Sequence, residues 1–410
     1  MEDYQFHQWP NGMRLVYKKV PTTRIIHCGI ILDIGSRDET VSQQGIAHFW
    51  EHMAFQGTKK RKAFHIINSL ESVGGELNAF TSKEKICFYA SVLDRYYQKA
   101  VELLADITFQ ATFPVKQIEK ERTVILEEMA MYEDSPDDAI QDDFDQLVFQ
   151  DHPLGMNILG NRKTVSGFQQ NDFLKFISEN LQIDRVVFSC VGNLPFNKVV
   201  KMVDRYLGKT QANGKAPDRL QFTGYTPENK QVSRSVTQAH CALGRPVYPV
   251  KHPDRLPFFA LINLLGGPGM NSRLNLSLRE KHGLVYAIEA NYTPYQDTGL
   301  LAIFFGTDPR QTRKSLRLIE KELKLLQDKP LGTLQLHRAK EQLVGQLAMA
   351  EENNMNLMLM MGKSMLDLDH IRTLEETIKE VRSITAAKLQ ELAQEMFSFE
   401  DFSFLTFLPK

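Results

Sequence analysis

His48 and His52 lie four residues apart in the run GIAHFWEHMAFQG, residues 45–57, with Glu51 between them. No proline interrupts the run and Gly57 reads as a C-cap, so a helix is expected. On a helix, residues i and i+4 sit one above the other, about 6 Å apart along the axis. Two imidazoles so placed can converge on one metal ion, and Glu51 borders the same face without having to be a ligand. His-x-x-Glu-His is the inverse of the His-Glu-x-x-His pattern of metal hydrolases. A hydrolytic metal site takes three protein ligands and keeps a position for water, so a third ligand has to come from elsewhere in the chain. Residues 114–134 (PVKQIEKERTVILEEMAMYED) offer candidates. Ile118, Ile125 and Tyr132 recur every seven residues and mark one helix face, and Glu121 and Glu128 share that spacing. Seven residues return to within about 20° on a helix. Both carboxylates therefore point the same way, while Glu127 is turned aside by about 100°.

The elements that must hold these residues come in two similar series. A strand at 25–34 leads to a helix at 42–56 and another at 63–73. A strand pair within 75–93 follows, then a long helix from Arg95. In the second half, a strand at 239–243 leads to a helix at 255–265 and a helical stretch at 273–281. Strands at 284–291 and 300–306 follow, then a long helix at 309–327. Strands mixed with helices, and strand pairs joined by short turns, predict an α+β protein rather than a doubly wound sheet. Between the halves, Lys209 to Gln231 is polar, carries Gly214, Pro217, Gly224 and Pro227, and shows no period. The expected organisation is a catalytic domain at 1–210, a linker at 211–231 and a similar domain without metal at 232–410.

The chain has 410 residues, with 49 Lys+Arg against 50 Asp+Glu. A net charge of −1 provides no basic field to collect nucleic acid or an anionic membrane. The four cysteines (28, 87, 190 and 241) are too scattered for a disulfide scaffold and sit in apolar runs, as buried thiols do. Pro10, Asn11 and Gly12 stand where a signal peptide needs its apolar core, and no run reaches a membrane span. A cytoplasmic, soluble protein is expected. Met355, Met358, Met360, Met361 and Met365 lie on a helical stretch and read as core. Gly266 to Gly269 lacks the Lys-Ser/Thr of a phosphate loop.

Several separated blocks resemble the pitrilysin/insulinase family of zinc metallopeptidases, peptidase family M16. They are residues 35–37, 45–52, 55–58, 74–81 (GGELNAFT), 121–128 and 278–286 (LREKHGLVY). The chain is most similar to the half-length branch that includes mitochondrial processing peptidase β-subunits and their bacterial relatives. The resemblance implies two similar α/β-sandwich domains in tandem, with helices packed on mostly antiparallel sheets. It implies one Zn2+ per chain, held by His48, His52 and Glu128, with Glu51 as general base and Glu121 as a supporting carboxylate. Asn78, Ala79, Phe80 and Thr81 match the family's substrate strand. Arg279 and Tyr286 match a pair that holds the substrate main chain and assists the oxyanion. The implied activity is zinc-dependent endopeptidase cleavage of peptides or unfolded segments in an enclosed chamber. Full-length relatives build that chamber from two halves, so a half-length chain implies a homodimer, or a heterodimer with a related chain, in which Arg279 and Tyr286 reach the partner's zinc site. The alternative is a non-catalytic scaffold subunit of a heteromeric peptidase. Such subunits tend to lose metal or base residues, and none is lost here.

Overall fold

Eleven strands form two sheets among the described residues of the computed structural model, which are 4–211 and 218–410. The first sheet contains β1 (Gln5–Gln8), β2 (Arg14–Lys19), β3 (Ile25–Leu32), β4 (Glu76–Thr81), β5 (Ile86–Leu93) and β6 (Val186–Gly192), in the order β1-β2-β6-β3-β5-β4. The second contains β7 (Asn229–Arg234), β8 (Ala239–Val247), β9 (Val285–Pro294), β10 (Gly299–Thr307) and β11 (Ser403–Pro409), in the order β7-β11-β8-β10-β9. With the extra edge strand β1 set aside, the two orders are the same. Each sheet has one parallel pair, β2 with β6 and β7 with β11, and its other pairings are antiparallel. The sheets are therefore mixed rather than purely antiparallel, because the last strand of each series returns by a helical crossover to lie beside the first.

Strand β6 is buried along its whole length and β3 along most of it. Strands buried on both faces read as continuous apolar runs, as VVFSCVG does. In the first unit the helix Asn354–Leu368 packs on β6 and β3, and Tyr97–Phe109 packs on β3 and β5. Gly362 permits a close approach: a Cβ there would lie 2.5 Å from Ile31 Cδ1 and 3.2 Å from Ser189 Cβ. The Ser189 hydroxyl donates to the Met358 carbonyl at 2.6 Å. Of the methionine stretch expected in the core, Met358, Met361 and Met365 are buried there, whereas Met355 is half-buried and Met360 is exposed. In the second unit the helix Pro136–Val148 packs on β8 and β11. Leu261, Ile303, Ile319, Leu323 and Leu392 belong to that unit's core.

Each unit is discontinuous in sequence. The first comprises Met1–Met129, Met156–Leu220 and Ala350–Ile371; the second comprises Ala130–Gly155, Gln221–Met349 and Arg372–Lys410. The segments 130–155 and 350–371 thus belong with the opposite half of the chain, which a linear division at 211–231 does not express. Residues 212–217 of the expected linker, Gly214 and Pro217 included, lie outside the described residues.

Local details differ from expectation in two places. The helix expected at 42–56 begins only at Ile46, after a short 3-10 turn at Val41–Gln43, and it ends at Ala54. Gly57 is not its C-cap; it forms an antiparallel bridge with Lys62. The helical stretch expected at 273–281 is present, with Asn275–Lys281 in π-helical form. All four cysteines are buried and free. Among the described residues no helix is long and apolar enough to cross a membrane.

Candidate metal centre

The helix Ile46–Ala54 is fixed by its apolar residues. Ile46, Ala47, Phe49, Trp50, Met53 and Ala54 are all buried. Trp50 packs against Phe88 and Phe176, both with ring centroids 6.3 Å away, and Phe49 meets Phe173 edge-on at 5.1 Å. His48, Glu51 and His52 are left on the remaining face. The helix starts from Gly45 at φ 92°, a left-handed conformation that favours glycine. Glu39 caps this end: its carboxylate accepts the Gly45 N–H at 2.9 Å and the Ala47 N–H at 2.8 Å. A carboxylate at a helix N-terminus satisfies orphan donors and complements the helix dipole.

The helix Val115–Asp134 supplies the acids. Ile118 and Ile125 bury its apolar face, and the Arg122 guanidinium donates to the carbonyls of Val165 (3.1 Å) and Phe168 (2.6 Å). Glu121 is buried, Glu128 is half-buried and Glu127 is exposed, consistent with the sevenfold spacing. His48 Nε2 lies 3.8 Å from Glu128 Oε2, and His52 Nε2 lies 3.6 Å from the same oxygen. His52 Nδ1 lies 3.4 Å from Glu121 Oε2. His48, His52 and Glu128 each offer a ligand atom within 4.8 Å of the others. For bonds of about 2.0–2.2 Å in a tetrahedron, donor atoms stand about 3.4 Å apart, so the observed spacings fit a zinc-sized ion.

The electrostatics point the same way. Burial, with His52 as neighbour, lowers the His48 pKa to about 3, keeping the ring in the neutral form that binds metals. Burial pulls His52 down as well, but the hydrogen bond to Glu121 and the charges of Glu128 and Glu51 outweigh it and hold the ring above its ordinary value. Burial pushes Glu128 up, partly opposed by His52. Burial also raises Glu51, against the pull of Thr81 and His52. Three carboxyls gathered around two imidazoles leave an excess of negative charge that a divalent cation offsets.

Glu51 sits beside the cluster of His48, His52 and Glu128. Its Oε2 accepts the Thr81 hydroxyl at 2.6 Å, which ties the helix to the end of β4. β4 pairs with β5, with Phe80 opposite Cys87 and Thr81 opposite Ile86, and forms one edge of the sheet. Asn78, Ala79 and Phe80 lie on that strand, and the Asn78 side chain accepts the Ala79 N–H at 2.8 Å. Arg279 and Tyr286 belong to the second unit. The Arg279 guanidinium lies 5.7 Å from the Tyr286 ring centroid, and Tyr286 is 86% exposed. Two features had no sequence signal: the Glu39 cap, which arrives from outside the helix at no fixed spacing, and the Thr81–Glu51 bond, which depends on how β4 meets the helix.

Two imidazoles and a carboxylate around one point, with a further carboxyl alongside, are the donor set of a hydrolytic metal protein. The family comparison is specific. Residues 14–162 match the model for insulinase, peptidase family M16, and residues 167–343 match the model described as the peptidase M16 inactive domain. The chain is 35% identical over 399 residues to a Bacillus subtilis protein called uncharacterized zinc protease YmxG, covering 97% of each. A protease from Helicobacter pylori shares the fold with a TM-score of 0.92 at 21% identity, covering 99% of both chains. A Pseudomonas fluorescens structure described as a peptidase M16 inactive domain superposes with a TM-score of 0.91 at 18% identity, over 100% of this chain and 98% of that one. This chain belongs to the peptidase M16 family.

Proposed function

We propose that this chain is a zinc-dependent endopeptidase in which His48, His52 and Glu128 hold one ion per chain and Glu51 is the general base. The observation that carries the reading is the convergence of those three ligand atoms within 4.8 Å, with the Glu51 carboxyl held beside them by Thr81 at 2.6 Å. Zinc at such a site lowers the pKa of a bound water and polarises a carbonyl. Glu51, whose proton affinity is raised by burial, takes the proton from the attacking water and returns it to the leaving amine. Glu121 orients His52 through its Nδ1. The outer edge of β4 offers backbone groups to an extended peptide, so main-chain pairing holds the substrate while side chains tune it.

Arg279 and Tyr286 take the role of substrate and oxyanion support, supplied by a partner chain in a homodimer that completes the chamber. A heterodimer with a related chain uses the same surfaces. Light scattering after size exclusion distinguishes these from an active monomer, which would exclude the shared site. A scaffold role is the second reading, favoured by the inactive-domain description that matches residues 167–343; the intact donor set of the first unit weighs against it.

The test is a peptide-library digest read by mass spectrometry, with and without a chelator, on wild-type and Glu51→Gln protein. Removing the base is expected to lower cleavage by at least about 10²–10⁴-fold while zinc, measured by elemental analysis, stays at one per chain. Wild-type rates from Glu51→Gln protein would refute the assigned chemistry. Absence of stoichiometric zinc in active wild type would refute the metal.

A further inference from the structure

Successive residues of β4 serve opposite faces of the sheet. Thr81 faces the helix Ile46–Ala54 and bonds Glu51. Phe80 lies on the other face, against Tyr89 (ring centroids 6.3 Å apart) and the core that contains Met358 and Met361. Above the Phe80 ring, 4.7 Å from its centroid, stands the ammonium of Lys363, carried by the helix Asn354–Leu368.

The charge of Lys363 is poorly compensated. Among the described residues no carboxylate forms an ion pair with it. Asp367, one turn further along the same helix, is engaged by the buried Lys85 at 2.6 Å. Two ammonium groups therefore share one acid. Burial lowers the Lys363 pKa, with Lys85 adding to it and Cys87 and Asp367 opposing it without overcoming it, the mark of a cation with too little solvent. The contact with Phe80 supplies part of what is missing through the ring quadrupole.

A peptide paired along the outer edge of β4 sends alternate side chains to the two faces. Side chains on one face pass toward Glu51 and the metal ligands; a neighbour of Phe80 on the other face comes within reach of Lys363. We propose that Lys363 is a specificity-determining residue that selects peptides carrying an acidic side chain at the position beside Phe80. This rests on the reading of β4 as the substrate strand of a peptidase. A carboxylate there meets an unpaired ammonium in a partly desolvated setting, where a charge-assisted bond is about twice as strong as a neutral one. A basic side chain at that position is repelled, and a neutral one leaves the ammonium without a partner.

The experiment uses full-length zinc-loaded protein and peptide pairs that differ only as Glu against Gln, scanned through each position around the cleaved bond. Wild type is expected to favour Glu at one position by about tenfold in kcat/KM, equivalent to about 1.4 kcal/mol. In Lys363→Met protein that ratio falls to about one. Lys363→Arg preserves it, and Lys363→Glu inverts it in favour of Gln. The same ratios are measured as Kd for peptides bound to Glu51→Gln protein, where no cleavage intervenes. Wild type that cuts no peptide overturns the peptidase reading and this assignment together. Wild type that cuts both members of every pair equally, or a Lys363→Met protein that keeps the preference, overturns the assignment of Lys363 alone.

Discussion

Apart from the extra edge strand β1 of the first, the two units run through the same series of strands in the same sheet order, with the parallel pair in the same place. They differ in what the helices between strands carry. After β3 the first unit has the helix Ile46–Ala54, which buries one face and turns two histidines and a glutamate away from the core. After β8 the second unit has the helix Arg255–Gly266, in which Phe258, Leu261, Ile262 and Leu265 are buried and no histidine occurs. After β5 come Tyr97–Phe109 and Val115–Asp134, the second with Glu121 and Glu128; after β10 come Thr312–Asp328 and Thr333–Glu352, with no acid brought to a histidine pair. Among the described residues His48, His52 and Glu128 are the only such metal-competent trio. One architecture can thus be kept for packing alone or used to aim ligands, depending on a few outward-facing residues of two helices.

The comparison can be pressed experimentally. If the second unit contributes support to the reaction without touching the ion, Arg279→Ala should lower kcat by about 10²–10³-fold and leave bound zinc unchanged in elemental analysis. A loss of zinc in that variant would erase the division of labour. Within the first unit, Glu121→Gln should weaken zinc by about 10–100-fold, seen in competition with a chromophoric chelator, because His52 loses the acid that orients it. Next in size, Gly362→Val should destabilise the first unit by about 1–3 kcal/mol through overpacking against Ile31 and Ser189. Thermal unfolding and zinc release should then shift downward together.

The smallest effect concerns acid. Burial raises the Asp33 carboxyl, but Arg219, Arg185 and Lys85 overcome it and hold the pKa below its ordinary value. A depressed carboxyl contributes stability that is complete above its unfolded pKa, about 3.9, and is lost as pH falls through the folded value. Arg219→Gln protein should therefore melt below wild type at neutral pH, with the gap closing as pH drops below about 4. A gap that widened in acid would contradict the pairing.

The parts of the site that were legible in the sequence are those written in helical period. His48, Glu51 and His52 share a face because four residues nearly complete a turn, and Glu121 and Glu128 share one because seven nearly complete two. Which acid meets both imidazoles was not contained in that spacing; it came from the family resemblance, and the fold brings Glu128 to both rings. Contacts that cross between elements left no local trace. Glu39 reaches the helix start from a preceding turn, and Lys363 reaches Phe80 across more than 280 residues of chain. The π-helical turn at Asn275–Lys281 was hidden for another reason: a seven-residue stretch is too short for α and π periods to be told apart.

The exchange of the segments 130–155 and 350–371 between the halves of the chain also bears on how the protein is made. Synthesis proceeds from the N-terminus, yet the cover for β3 and β6 is encoded well over a hundred residues after β6 itself, at Asn354–Leu368. An emerging polypeptide with His48, His52 and Glu128 already translated still has an open sheet, and a ribosome must deliver residue 371 before that layer can close. Fragments cut near residue 230 would expose this apolar surface, so a nascent chain keeps this layer open until the helix Asn354–Leu368 has emerged.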